Sequence, residues 1–184
     1  METERLVIRP FKEGDEDAVW EIFGDRELNR FLPMFPLESR AEAKDYLGEV
    51  LMGNRGRHYA VCRKEDNRPV GYVTVGGDGS HDLGYGLLER FRGQGLITEA
   101  CRRVVEELKK EGIPYLTATH DVDNPKSGEV MKRLGMTYCY SYREQWQPKN
   151  IPVVFRMYQM NLDGNRDRVY RKYWEKYPHF VEEI

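Results

Sequence analysis

Gly93 and Gly95 stand between a short apolar run and a long amphipathic one, and they limit what the chain around them can become. The run before them, Leu83 to Leu88, reads as a short strand ending in paired leucines. After the charged turn Arg92-Gly93-Gln94-Gly95, residues Ile97, Ala100, Cys101, Val104, Val105 and Leu108 share one helical face. Arg102, Arg103, Glu106, Glu107 and Lys109 take the other. Strand, glycine turn and helix start, in that order, concentrate backbone N–H groups. Glycine lets the chain bend back, and the first helical turn leaves its own donors unpaired with the positive end of the helix dipole behind them. Such a place suits phosphate. A P-loop is excluded because no Gly-Lys-Ser/Thr follows Gly95, and the dinucleotide pattern fails because Thr98 stands where its last glycine belongs. A tight turn before an ordinary helix cap would use the same glycines, so on this stretch alone both readings stand.

A second patterned stretch lies downstream, Asn124-Pro125-Lys126-Ser127-Gly128-Glu129-Val130-Met131-Lys132-Arg133-Leu134-Gly135-Met136. Asn124 is a good N-cap, Pro125 sits where a missing N–H costs nothing, and Gly135 is placed for a left-handed C-cap. Val130, Met131 and Leu134 give the short helix an apolar face.

Taken together, the two stretches resemble the GNAT acetyltransferase superfamily. Arg92-x-x-Gly95-x-Ile97 is similar to that family's Arg-x-x-Gly-x-(Gly or Ala) pyrophosphate loop, with Ile97 a departure at the last position. The run from Asn124 is similar to its Asn-x-x-Ser, apolar, Lys-x-Leu-Gly-Phe segment. The resemblance covers most of Arg5 to Leu162 and is specific only in these motifs; its nearest likeness is the ribosomal-protein N-terminal acetyltransferase-like branch. It implies an α/β fold: a mixed, seven-stranded, splayed sheet with helices on both faces. It implies acetyl-CoA as co-substrate, a primary amine (a protein N-terminus or a small amine) as acceptor, and direct attack on the thioester.

Residue roles carry over by position. Amides along Arg92, Gly93, Gln94, Gly95, Leu96, Ile97 and Thr98 would hold the diphosphate. Tyr85, Gly86 and Leu87 would lie along the pantetheine arm, and an amide at Leu87 or Leu88 would polarise the thioester. Asn124 would bond the donor's arm as well as cap its helix. Some relatives protonate the thiolate with a Tyr seven positions after the Asn; this chain has Met131 there. The ribosomal-type members use the Ser three positions after the Asn, here Ser127. Asp82, just before Gly84-Tyr85, is the first candidate base, with His120 and Asp121 as rivals and His120 read by default as a surface residue. A catalytically silent acyl-CoA-binding module is the alternative function.

The remaining chain is ordinary in composition. At 184 residues, 40% apolar and 33% charged, it is long enough for a core without staples. A net charge of −2 gives no general attraction to nucleic acid or anionic membrane. With no spanning run and no leader pattern, the expectation is a cytoplasmic protein. Cys62, Cys101 and Cys139 lack metal spacing and read as buried thiols, so no metal is expected. Further strands are expected at Arg5–Pro10, His58–Arg63, Pro69–Val75, Tyr115–Thr119, Met136–Trp146 and Val153–Leu162. Helices are expected at Asp15–Phe23 and, from the Ser39/Glu42 capping box, to about Met52 with Val50 inward. Asn29 to Leu37 is a packed connector or, second, a lid over an acceptor pocket. Residues 1–162 would form the acetyltransferase domain. Residues 163–184 would be an extension with an aromatic-faced helix built on Val169, Tyr170, Tyr173, Trp174 and Tyr177. That helix would dock on the protein's own sheet or, second, at a homodimer contact.

Overall fold

The computed structural model describes all residues, Met1 to Ile184. Strands β1 (Leu6–Pro10), β2 (Gly56–Arg63), β3 (Pro69–Gly76) and β4 (Leu83–Leu87) form an antiparallel sheet in that order. Strands β5 (Tyr115–Asp121), β7 (Ile151–Asn161), β6 (Thr137–Trp146) and β8 (His179–Phe180) form a second one. The halves meet at one parallel bridge, Asp82 to Thr117, and β4 and β5 part beyond it. The splayed α/β fold is therefore present, with one strand more than expected because the tail contributes β8.

Side-chain alternation decides which face each helix covers. On one face, Leu6, Ile8, Val61, Val73, Val75, Leu83 and Leu87 pack against α4 (Leu96–Lys110) and α5 (Pro125–Leu134). Ala100, Cys101, Val104 and Leu108 of α4 are fully buried there, and each such Val or Leu side chain contributes roughly 1.5–3 kcal/mol. On the opposite face, Ala60, Cys62 and Tyr72 pack against α1 (Glu16–Gly24), α2 (Arg26–Asn29) and α3 (Arg40–Tyr46). Helices thus lie on both faces. No helix is long and apolar enough to cross a membrane.

Several elements differ from the sequence pattern. The Ser39 side chain accepts from the Glu42 amide at the start of α3, as the capping box requires. The helix then loosens into a π-helical turn, Leu47–Leu51, which keeps Leu47 and Leu51 buried and turns Val50 outward. The segment after α1 forms the extra helix α2, and beyond it Leu32, Met34 and Leu37 pack on the α1–α3 core while Phe35 is exposed. Cys62 and Cys101 are buried; Cys139, at a bulge in β6, is only half-buried. The tail is helical only over α6 (Lys172–Lys176), because Pro178 stops it and β8 then pairs with β6.

Candidate active site

The loop from Arg92 to Gly95 is exposed, and both its glycines have positive φ, +77° at Gly93 and +76° at Gly95. Gly95 caps α4 without a side chain, so nothing covers the helix start. The first intrahelical bond is donated by Glu99 to the Gly95 carbonyl, which leaves the amides of Leu96, Ile97 and Thr98 unpaired. Arg5 fastens the loop, donating to the Gln94 carbonyl at 2.9 Å and holding Glu99 through an ion pair. Arg92 folds back and donates its Nε to the Leu87 carbonyl at 2.9 Å, tying the loop to the end of β4. An open, polar groove of about 580 Å3 runs alongside, lined by Arg5, Gly95, Thr98, Arg102 and Arg133 among others.

Ile97 does not crowd this loop. It lies in the first turn of α4, half-buried, and packs against the main core. Ile97→Ala should therefore cost about 1 kcal/mol of stability and leave acetyl-CoA affinity within about 1 kcal/mol of wild type. Chemical denaturation and calorimetry check the two halves of that expectation separately.

Along β4 the antiparallel ladder decides which amides are free. Leu88 donates to the Val70 carbonyl at 3.0 Å, and Gly86 faces Tyr72 in the same register. Alternation then turns the N–H groups of Tyr85 and Leu87 away from β3, toward the gap where β4 leaves β5. Leu88, expected as one of two candidates to polarise a carbonyl, has its amide occupied. Leu87 keeps the role available.

Across the gap stands the first turn of α5. Tyr85 donates its hydroxyl to the Ser127 carbonyl at 2.7 Å, and Ser127 Oγ donates to the Tyr85 hydroxyl at 3.1 Å. The two side chains span from strand to helix. Burial pushes the Tyr85 phenol well above its usual range. Asn124 makes no side-chain cap bond, contrary to the sequence expectation; its backbone N–H donates to the Asp121 carbonyl at 2.8 Å, α5 starts on backbone contacts and Pro125, and the Asn124 side-chain carboxamide stays free for a ligand. Met131, fully buried, is part of the core and offers no proton.

The candidate bases separate by face. His120 is buried rather than on the surface, its Nδ1 donating to the Asp121 carbonyl at 2.8 Å. Its Nε2 points at Gly128 of α5, where an added Cβ would come within 2.6 Å. Burial lowers its pKa, so it is a neutral packing residue beneath the helix. Asp82 lies on the other face and accepts from Thr117 Oγ1 at 3.0 Å. Burial pushes its carboxyl up to about 7; the Thr117 bond opposes this and the Asp78 charge adds to it. Asp121, the residue after His120 at the end of β5, is also raised by burial.

On Asp82's face, Gly84 and Gly86 let side chains of β3 lie directly on β4, and a Cβ at Gly84 would come within 2.6 Å of Thr74 Oγ1. The Tyr72 ring covers Gly86, where a Cβ would come within 2.5 Å, and stacks on Phe23 at 4.9 Å. Lys149, on the β6–β7 loop, reaches across to the Asn29 carbonyl at 2.5 Å and joins that loop to α2. No group of three or more metal-ligating side chains is present. Sequence reasoning missed Thr117, Tyr72 and the Lys149 bridge, because each acts across a distance no local pattern encodes.

Residues 5–137 match the family described as the acetyltransferase (GNAT) domain. An uncharacterised N-acetyltransferase of Bacillus subtilis (strain 168), YnaD, is 25% identical over 82% of this chain and 86% of its own. The spermidine N-acetyltransferase of Vibrio cholerae, solved with CoA and spermine, superposes with a TM-score of 0.75 at 14% identity, over 87% of this chain and 97% of that one. The ribosomal-protein-S5-alanine acetyltransferase of Vibrio fischeri does so at 0.72 and 18%, over 89% and 97%. At these identities the structural likeness carries the fold.

Proposed function

The chain belongs to the GNAT acetyltransferase family, and from that premise we propose that it moves an acetyl group from acetyl-CoA to a primary amine by direct attack on the thioester. One observation carries the reading: two sets of unpaired backbone donors, at Tyr85 and Leu87 on the open edge of β4 and at Leu96 to Thr98 in the first turn of α4. A diphosphate fits the α4 end, where the amides of Leu96 to Thr98 converge beside Gly93 and Gly95. A pantetheine arm fits the open edge, with the Leu87 amide polarising the thioester carbonyl and Asn124 bonding the arm. The amine nitrogen forms the new C–N bond as the C–S bond breaks. Asp82 receives the proton the nitrogen sheds, directly or through water, and Ser127, backed by Tyr85, supplies one to the departing sulfur.

Free CoA release, measured over a panel of amines, tests this. Acetyl-CoA binding without release on any amine would make the chain a silent acyl-CoA-binding module instead. The protein-N-terminus and small-amine acceptors are both included in the panel.

Asp82 as base gives a pH signature. Its carboxyl must be ionised to accept a proton, so turnover should rise as pH passes through about 7. Stability should move the other way. A folded-state pKa raised above 3.8 contributes stability that is complete below about 4 and is lost as pH rises through 7. The groups coupled to Asp82 are Asp78, Tyr85, Tyr142, Tyr170 and Tyr173, and none of the tyrosines ionises in that range. Asp82→Asn keeps an oxygen for Thr117 and should flatten both profiles; an unchanged rate profile would remove Asp82 from the mechanism.

A further inference from the structure

Gly128 stands inside a helix, where glycine is a poor choice. It follows Ser127 directly in α5, is buried, and has no positive φ that would call for a residue without a side chain. Alanine at this place would make a firmer helix. What excludes a side chain is His120, on the strand beneath. A Cβ on Gly128 would come within 2.6 Å of the imidazole Nε2, 3.0 Å of Cε1 and 3.1 Å of Cδ2. The helix backbone therefore rests on the ring itself.

The ring is not free to give way. The Asp121 carbonyl can only accept, so Nδ1 carries the proton and donates to it at 2.8 Å, which fixes the orientation of the imidazole. His120 is 4% exposed, and the Tyr158 ring of β7 lies beside it with centroids 5.7 Å apart. Nε2, turned toward Gly128, has no hydrogen-bond partner. A buried nitrogen left unpaired is a cost, so both members of this contact are poor choices for stability alone.

The same helical turn is held from the other side of the gap. Tyr85 of β4 donates to the Ser127 carbonyl at 2.7 Å, and Ser127 Oγ donates to the Tyr85 hydroxyl at 3.1 Å. Strands β4 and β5 belong to different sheets here, so the first turn of α5 bridges them, with Ser127 tied to one strand and Gly128 seated on the other. The depth of that seat fixes where the Ser127 hydroxyl stands along the edge of β4. We propose that His120 is a positioning residue, whose ring beneath Gly128 sets the height of α5 and so places the Ser127 hydroxyl against the departing sulfur. This rests on the acetyltransferase reading and deepens it.

The test is a double-mutant cycle of Gly128→Ala and His120→Ala, with melting as the fold control. Ordinary contact begins at 3.4 Å, so the alanine methyl must drive helix and ring apart by about 0.8 Å. Misplacement of that order at a reacting group is costly, and Gly128→Ala should lower kcat by about tenfold or more. Its acetyl-CoA affinity should change by less than about threefold, because the diphosphate is held at α4. In the His120→Ala background the space beneath is empty, and adding Gly128→Ala should leave kcat within about twofold. Unaltered turnover by Gly128→Ala overturns the proposal and leaves the transferase reading standing. An equal loss in both backgrounds also overturns it, since the effect then does not pass through the ring. If Gly128→Ala does not fold, folding restored by His120→Ala supports the seat, and failure of both variants overturns it. A crystal structure of Gly128→Ala reads the seat without turnover. Ser127 Oγ displaced from the Tyr85 hydroxyl supports it even if no amine releases CoA, a result that defeats the transferase reading alone; an undisplaced pair overturns the seat.

Discussion

Ser127→Ala is expected to lower kcat by about a hundredfold or more while acetyl-CoA affinity stays unchanged. The geometry makes this substitution cleaner than most. Tyr85 donates its hydroxyl to the Ser127 backbone carbonyl, not to the side chain, so the tie between β4 and α5 survives the loss of Oγ. What disappears is one hydroxyl at the mouth of the gap between β4 and α5, the only bond of which is to Tyr85. If Ser127 merely stabilises that contact, its removal costs about 1 kcal/mol in denaturation and leaves turnover nearly intact. Tyr85→Phe is the companion variant: it removes the support of Ser127 and should lower kcat less than Ser127→Ala does. Unimpaired turnover by Ser127→Ala, on whichever amine is the acceptor, would remove Ser127 from the mechanism.

The second large effect is expected at the phosphate loop. Gly95→Val should weaken acetyl-CoA binding by about a hundredfold, roughly 2.7 kcal/mol. An added Cβ meets no protein atom closer than Arg5 at 3.8 Å, so the side chain would occupy the space outside the α4 N-terminus, where a diphosphate would sit. Backbone strain adds to this, because a β-branched residue at a φ of +76° costs about 1–2 kcal/mol. Gly112 provides the control. It has a φ of +80°, nothing within 4 Å of its own Cβ position, and lies beyond the other end of α4. Gly112→Val should lose comparable stability and bind acetyl-CoA normally. Equal affinity of Gly95→Val and wild type by calorimetry would place the diphosphate elsewhere.

The homodimer contact considered for the tail has less to recommend it once β8 is seen to occupy the β6 edge. An exposed edge strand is a ready template for pairing with a second copy, and here two residues of the chain's own tail cover part of it. Much of the tail's aromatic surface is spent on Tyr140 and Tyr142 beneath it.

The strand, the glycine loop and the helix after it were legible in the sequence because each is a local device. A left-handed glycine, an amphipathic repeat and a Pro–Gly bracketed helix are set by φ preferences and side-chain spacing within a few residues, and Gly95, α4 and Gly135 appear where those rules put them. Tertiary structure decided whatever depends on which neighbour a group meets. The amide of Leu88 is spent and that of Leu87 is free because β3 supplies its carbonyls in one register rather than the other. His120 is buried rather than at the surface because strand alternation sends it beneath α5, while Asp82 meets Thr117 on the neighbouring strand. Asn124 keeps its side-chain carboxamide free because Pro125 and backbone bonds already start the helix. The tail's aromatic spacing pointed to docking on the protein's own sheet, where Tyr173, Trp174 and Tyr177 lie half-buried and Val169 stays exposed, but not to the residues that receive it. Stacking energy is indifferent to sequence distance, and only the folded sheet brings Tyr142 and Tyr173 to 5.2 Å.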